Sequence, residues 1–493
     1  MSSPLLAGCY SIKCSFYPRK YLRYVRRQGE LEKVLHLSGE DAISPSTRFY
    51  VEPSEVHEGL VHIRCCYNNT YWVPRRVKDD ISYIFCDAST AEEDLSNPSC
   101  TLFKVYLQLG FWRIAYKDDQ SRIHPWREYQ DHVSIWEDGC LVRENTSVEF
   151  SFIAVDKPLP RHVRFKGDNN EYLGTVDKLG GELMKFDWRH PGPDNLSFTI
   201  HPNKDGTTFR VQADKGGKFW TASHTDRWIR AAAGDDSSRD DYMCHFQVDS
   251  WLAGSDGKPS TVTIKNFYEN KLLKRLDEGK VKSGLAAATY DAADPCTKLV
   301  VEEAVSSRRI YNVRYHREDV RVHTQAATTK VEGESFSNLT SSVVEVELKV
   351  RFESNETSSW EASVTATLSA TGTVQAGFPK LGLGASLEIH SELNASYTMG
   401  KSSDHTEERT VTSKVLVKPM TKVAVFGIRS EATFDLPFSY DQEDTFPDGH
   451  TRVHRDLQDG IFRGIGGYIA DTYFIETPLD SKDKNFNSIP AGN

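Results

Sequence analysis

The chain has 493 residues, 38% of them apolar and 26% charged, a balance that fits two to four folded domains and excludes a disordered chain. Its formal net charge of −10 leaves no basic stripe to neutralise phosphates, so no nucleic-acid partner is expected. No window of about 18 apolar residues offers a transmembrane helix.

The first twenty residues, "MSSPLLAGCYSIKCSFYPRK", lack the apolar core of a signal peptide. A cytoplasmic or nucleocytoplasmic protein is therefore expected. The basic residues from Arg19 to Arg27 are interrupted by aromatic and apolar ones and read as a solvated loop. Nine cysteines, with Cys65 and Cys66 adjacent and no pair at zinc-ligand spacing, predict reduced thiols. The sequons at Asn338 and Asn394 carry no meaning without secretion.

An internal repeat organises the first three hundred residues or so. "KYLRY" (20–24) returns as "EYLGT" (171–175), and "VHIRCCYNNTYW" (61–72) returns as "TFRVQADKGGKFW" (208–220). "SYIFCDA" (82–88) matches "RWIRAAA" (227–233), and "LFKVYL" (102–107) matches "HFQVDS" (245–250). The offset is about 150 residues, so two like domains stand in tandem.

Each copy also repeats within itself at about 50 residues. Short strands close the thirds at Phe49–Val51, Phe103–Val105, Phe198–Ile200, Phe246–Val248 and Leu299–Val301, and others open them at Tyr10, Val61, Val163 and Val262. Three similar units of short strands linked by Gly/Asn/Asp turns predict an all-β fold with pseudo-threefold symmetry, most simply a β-trefoil. Residues 106–132 read as an insertion in the first copy. Trp72 and Trp220 read as core. The expected domains are residues 1–156, 157–305 and 306–493, with the join at Asp156-Lys-Pro-Leu-Pro160, where two prolines stop strand pairing.

Past residue 306 Ser and Thr rise and the strands lengthen. Between Trp360 and Tyr397 the alternation is unusually long. Ala366, Leu368, Ala370, Val374 and Ala376 make an apolar face against Thr367, Ser369, Thr371, Thr373 and Gln375. The parity then flips, with Ala385, Leu387 and Ile389 apolar and Ser386, Glu388, His390 and Glu392 polar. Phe378, Pro379, Lys380, Leu381 and Leu383 form the tip between the arms.

A strand that spans lipid needs about 9–11 residues with one apolar face, and its edges must be paired. If Ala376 pairs with Ala385, the two apolar faces coincide. Trp360 and Tyr397 fall at the base, where interfacial aromatics belong, and Glu361, Glu388 and Glu392 on the lumen side predict cation preference. An ordinary half-buried sandwich strand also alternates, though usually over about 5–6 residues.

"GIGGYIAD" (464–471) and "LGLGA" (381–385) have closely spaced glycines but no strand–turn–helix context for a phosphate cradle. His36, His57, His62 and His201 lie near carboxylates without a hydrolase or zincin pattern. No enzyme, cofactor or metal is expected.

"KYLRY", "VEPSEVHEGLVHIR" and "SCTLFKVY" resemble the agglutinin domains of the amaranthin-type plant lectins, over residues 5 to about 305. The resemblance implies two β-trefoils that bind glycans, among them those containing N-acetylgalactosamine, usually as dimers. The amphipathic hairpin, "VLVKPMTKVAVFG" and "FDLPFSY" resemble the aerolysin-type pore-forming module from about 310 to 478. That implies an elongated antiparallel β domain with a pre-stem hairpin.

By the lectin resemblance, the glycan loop falls on Asp79, Asp80, Ser82 and Tyr83, with Asp226, Arg227 and Trp228 at the matching place in the second copy. Acidic groups there would hold vicinal hydroxyls and the aromatics would stack on the sugar. Tyr83 and Trp228 also have a reading as trefoil core. The combined expectation is a glycan-binding lectin, active in plant defence or stress, whose third domain forms a homo-oligomer and inserts its hairpins into a membrane. The polar tail 479–493 is either a restraint removed by proteolysis or a plain terminus. The rival readings are a lectin whose third domain serves only for oligomerisation, and a trefoil scaffold for protein partners.

Overall fold

The computed structural model describes residues 7–14, 20–26, 32–78, 81–108, 111–117, 121–126, 132–137, 149–155, 159–178, 181–190, 196–223, 225–252, 260–362, 371–390 and 396–479. Among them the regular structure is almost wholly strand, with one α-helix, Asp235–Asp240. The chain forms two compact units. The first comprises Met1–Tyr311, Ala362–Thr373 and Ser439–Gly460, and the second Asn312–Glu361, Val374–Phe438 and Ile461–Asn493.

In the first unit, strands Gly8–Cys14, Arg48–Pro53, Leu60–Cys65, Leu102–Gln108, Phe111–Tyr116 and Phe150–Ala154 pair in ring order and close on themselves. Closure leaves no open edge. Three hairpins cap this barrel: Tyr21–Val25 with Val34–Gly39, Tyr71–Lys78 with Ile81–Ala88, and Ser121–Trp126 with His132–Glu137. Each hairpin pairs with the other two, so the cap is triangular. This is a β-trefoil.

The plan recurs in His162–Lys166, Phe198–Pro202, Phe209–Ala213, Phe246–Leu252, Thr261–Asn266 and Leu299–Glu303, again a closed ring. Its cap hairpins are Tyr172–Lys178 with Gly181–Trp188, Phe219–Ala222 with Ile229–Ala233, and Leu272–Glu278 with Val281–Thr289.

Local sequence chemistry sets the turns that enter the caps. Asn69, Asn170, Gly217 and Asn270 take positive φ of 58°, 60°, 64° and 53°. Only Gly, or Asn with its short polar side chain, takes that conformation readily. The same turn is closed each time by a backbone bond, Cys65 N–H to Thr70 O, Gly167 to Glu171, Ala213 to Lys218 and Asn266 to Lys271, all between 2.8 and 3.0 Å.

The two barrels share one packing solution. Trp72 is fully buried, edge-on to Phe49 at 5.1 Å and 78° and to Phe103 at 5.7 Å and 89°. Trp220 is fully buried against Phe198 at 5.1 Å and 73° and Phe246 at 5.9 Å and 89°. Residues 106–132 are not an insertion. They supply the barrel strand Phe111–Tyr116 and the cap strand Ser121–Trp126, which completes the third lobe. The reading failed because Pro125 and dense charge disguise a hairpin strand that pairs Pro125 with Val133. The two-proline join is no loose linker at its end, since Leu159 belongs to the second trefoil's core.

Longer strands build the second unit. Val344–Ala362 pairs with Ser403–Val417 in unbroken register from Val344↔Val417 to Ser358↔Ser403, and Arg321–Asn338 pairs with the first part of Thr421–Thr445. Along Val344–Ala362 the even residues Leu348, Val350, Phe352, Ser354, Glu356, Ser358 and Trp360 are buried, the period-two pattern of a strand with one inward face. Midway that row turns from aliphatic to polar.

The eight cysteines among the described residues are free, and Cys9 and Cys66 bring their sulfurs to 3.5 Å. Truncating Trp220 to Ala should cost about 3–5 kcal/mol, the usual range for a fully packed Trp. Denaturant unfolding of the full chain measures it; a loss under about 1 kcal/mol would mean that the cage does not organise the barrel.

Candidate functional site

The expected sugar platforms are core residues instead. Tyr83 is 4% exposed and Trp228 6% exposed. Tyr83 packs with Val34, Val73 and Phe85, and Trp228 with Leu183, Val281 and Ala286. Both stand where one cap hairpin meets the next, Tyr83 opposite Ser134 and Trp228 opposite Ala286. Closing the triangular cap takes their faces, so neither ring is offered to a sugar.

Asp226 is committed as well. Its two oxygens accept from both terminal nitrogens of Arg230, at 2.8 and 2.5 Å. That paired bond holds its carboxyl at about 2. Arg227 sits at φ 58° with its guanidinium 4.0 Å from Glu278. Ser82 lies in the strand Ile81–Ala88, while Asp79 and Asp80 fall outside the described residues.

Among the described residues the hairpin segment contains the strands Thr371–Gln375, Phe378–Leu381, Leu387–His390 and Ser396–Thr398, while 363–370 and 391–395, where much of the two arms falls, lie outside the described residues. Between the two tip strands the chain turns at Gly384, φ 64°, and Ala385, φ 61°. The ladder at the tip is not the one that would bring the apolar faces together. Phe378 pairs with His390 and Leu381 with Leu387, which sets even residues opposite even ones. Continued outward, that ladder would put the Val374–Ala376 row on the side of Glu388 and Glu392, because a shift of one residue exchanges the faces.

Val374 is fully buried, with Thr373 and Gln375 exposed on either side. Ala376, Ala385, Leu387 and Ile389 are half-buried, and Ser386 and Glu388 are exposed. Pro379 and Leu381 of the tip are buried, and Phe378 and Lys380 half-buried. Ala366, Thr367, Leu368, Ser369, Ala370 and Glu392 lie outside the described residues. Thr371, Leu383 and His390 are placed by backbone only.

Trp360 and Tyr397 are no interfacial belt in this state. Trp360 is fully buried, stacked on Tyr397 at 4.1 Å and 25°, with Phe378 at 5.8 Å and Phe462 at 4.9 Å. Its indole N–H donates to Tyr315 Oη at 3.2 Å, and Tyr315 donates to Gly377 O at 2.8 Å. Nearer the tip, charge does the holding. Lys380 pairs with Glu407, and Arg409 donates to Glu356 and to Leu381 O, and at 3.3 Å to Gly467 O.

Burial pushes the Glu356 carboxyl up against the pull of Arg409. At Glu407 burial also acts upward, but the Lys380 bond and charge win and hold it low. The charged run "DHTEER" (404–409) gave no sign of this role in sequence, because its partners are 27 and 53 residues away.

One group of metal-ligating type, His162, Asp444 and His454, occurs among the described residues. His162 Nδ1 is 3.1 Å from Thr199 Oγ1, and that hydroxyl donates to Asp214 at 2.7 Å. Thr199 therefore accepts from Nδ1–H, which leaves His162 Nε2 to accept from His454 Nε2 at 3.1 Å. Asp444 faces both rings at 3.8 and 3.7 Å and accepts from Arg308 Nε at 2.7 Å. With Arg452 donating to Asp214 and Thr199, guanidinium charge surrounds the histidines and opposes a bound cation. A neutral histidine pair fits this setting.

Two closed barrels with triangular caps, followed by long antiparallel strands, define an all-β protein with tandem β-trefoils. Residues 9–115 match the Agglutinin domain family. No curated protein sequence matches the chain. Among solved structures, a lamprey immune protein matches over 55% of this chain and 86% of its own, at 17% identity and TM-score 0.27. The hemolytic lectin CEL-III matches over 94% and 92%, at 10% identity and TM-score 0.28. A mosquitocidal holotoxin matches over 64% and 36%, at 10% identity and TM-score 0.27. At such TM-scores the fold stands on the chain's own strand pairing. No helix among the described residues is long and apolar enough to cross a membrane, which says nothing of strands.

Replacing Lys380 by Met or Glu407 by Gln should raise hydrogen exchange in residues 378–390 several-fold while the trefoils stay protected. Exchange unchanged in both variants would show that the ion pair does not hold the tip.

Burial lowers His162 to about 3 and His454 to about 4, from an ordinary 6.5. A depressed histidine binds fewer protons folded than unfolded, so its stabilising effect is full above 6.5 and is lost as pH falls towards 4. The melting temperature should therefore drop between about pH 6.5 and 5, less steeply in His454→Gln. Identical slopes in the two proteins would contradict the neutral pair.

Proposed function

We propose that this protein is a glycan-binding lectin whose long-stranded module oligomerises and inserts its hairpin as the wall of a β-barrel pore. The observation that carries the reading is the state of the hairpin tip. In a segment whose sequence alternates long enough to span lipid, the tip pairs as the short strands Phe378–Leu381 and Leu387–His390, with Pro379 and Leu381 buried and its one charge, Lys380, neutralised by Glu407. The Agglutinin match at residues 9–115 and the lectin resemblance of residues 5 to about 305 support the binding half.

Insertion would follow from these contacts in a fixed order. The Lys380–Glu407 and Arg409–Glu356 pairs open, and the Phe378–His390 ladder melts. The arms then pair again one residue out of step, so that Val374 and Ala376 share a face with Leu387 and Ile389. Neighbouring copies must supply edge partners, because unpaired strand edges in hydrocarbon cost several kcal/mol per group. Two trefoils per subunit and several subunits per ring would concentrate the assembly on a glycan-bearing surface. Glycans containing N-acetylgalactosamine, a cytoplasmic resting pool and a role in plant defence belong to this reading.

Dye release from liposomes with and without surface glycoprotein, imaged by electron microscopy, tests it. Release with visible rings is expected, with cation-selective reversal potentials. Ala370→Asp and Leu387→Asp should each cut release at least tenfold with glycan binding unchanged. No release by the unmodified chain, even after limited proteolysis, would leave a multivalent lectin whose third module only oligomerises.

A further inference from the structure

The two trefoils enclose a cleft of about 380 Å³, lined from the first by Ile43 and Val155 and from the second by Gly206–Phe209 and by the five consecutive residues Gln247 to Trp251. Five neighbours in one strand should not face the same way, because side chains alternate. All five reach the cleft here, and the register slips within this stretch. Val248 pairs with Ile264 and Ser250 with Thr263, which leaves Asp249 as an extra residue. Such a bulge re-aims the residues around it. In the first trefoil the corresponding strand, Leu102–Gln108, pairs with Phe111–Tyr116 without a slip. The bulge is therefore a difference between otherwise like barrels and no requirement of the fold.

The bulge brings together an aromatic, a carboxylate and an amide. Trp251 is half-buried, packed on the barrel core along one part and lining the cleft with another. Asp249 is exposed and anchored by Lys265 at 3.7 Å, and Gln247 is half-buried beside it. An indole face takes the C–H face of a pyranose, while a carboxylate and an amide take adjacent hydroxyls. The volume lies at the small end of the range of about 300–1,000 Å³ for ligand pockets, which favour domain interfaces. It suits a terminal sugar residue.

The far wall is built rigid. Asp205 caps Thr207 N–H and Thr208 N–H at 2.8 Å, and Ala42 N–H donates to Lys204 O at 3.0 Å across the trefoil boundary. Gly206, at φ 72°, has Ala42 Cβ only 2.5 Å from where its own Cβ would stand, so no other residue lets the trefoils meet this closely. A wall held from both sides pre-organises the cleft.

We infer that this inter-trefoil cleft is a saccharide site, with Trp251 as stacking platform and Asp249 and Gln247 as hydroxyl ligands. The inference rests on the lectin reading and places it at residues other than those the sequence suggested. A printed glycan array probed with the full chain comes first, and calorimetry with the strongest-bound glycan follows for Trp251→Ala, Asp249→Asn and Trp251→Phe.

Affinity should fall at least tenfold in the first two and be largely kept in the third, with melting temperatures unchanged. If Trp251→Ala fails to fold, Asp249→Asn still decides. Wild-type affinity in folded Asp249→Asn or Trp251→Ala would overturn the cleft and leave the lectin reading standing. No binding to any arrayed glycan by the unmodified chain would overturn both.

Discussion

A tryptophan buried to zero exposure between the edges of two phenylalanines is the contact on which each trefoil depends. Each of the three aromatics comes from a different strand, and each pair adds about 0.5–1.5 kcal/mol beyond the area it buries. Trp72 and Trp220 hold strands that are remote in sequence, so barrel closure and the cage support each other. The caps add a smaller core of their own. Tyr83 and Trp228 fill it at equivalent seams, and the same seams deny them to solvent.

The second unit relies on a different balance. Its inner row begins with Leu348, Val350 and Phe352 and continues with Ser354, Glu356 and Ser358. Carbon packing gives way to charge and hydrogen bonds where the hairpin tip docks. Breaking one partner of a buried pair is costly, yet such pairs add little net stability over apolar contacts. A contact of that kind fixes one arrangement firmly and is easily unmade by anything that competes for its charges. That is the property the proposed insertion would require.

The buried charges around His162 and His454 follow the same physics with the opposite emphasis. Arg308 reaches both Asp444 and Glu303 at 2.7 and 2.9 Å, with almost no exposure on any of the three side chains. Removing one partner from such a buried set typically costs about 3–5 kcal/mol. Here Arg308 is paired with two carboxylates and burial keeps the histidines neutral, so the group holds one fixed geometry.

The sequence by itself determined the period of the strands, the tandem threefold repeat and the turns. Alternation, repeated Phe-x-Val segments and Asn or Gly at left-handed positions are local demands of the backbone. It also marked residues 360–398 as unusual. It failed at 106–132, where a proline and charges hid a strand whose partner lay in the next turn of chain. Only the tertiary structure decided which aromatics face solvent, since Tyr83 and Trp228 look alike in sequence whether they stack on a sugar or on Val34 and Leu183. It alone set the register of the hairpin tip, and it alone revealed the Lys380–Glu407 pair and the bulge at Asp249. Those depend on contacts between residues far apart in sequence, and no periodicity in a single strand encodes its partner.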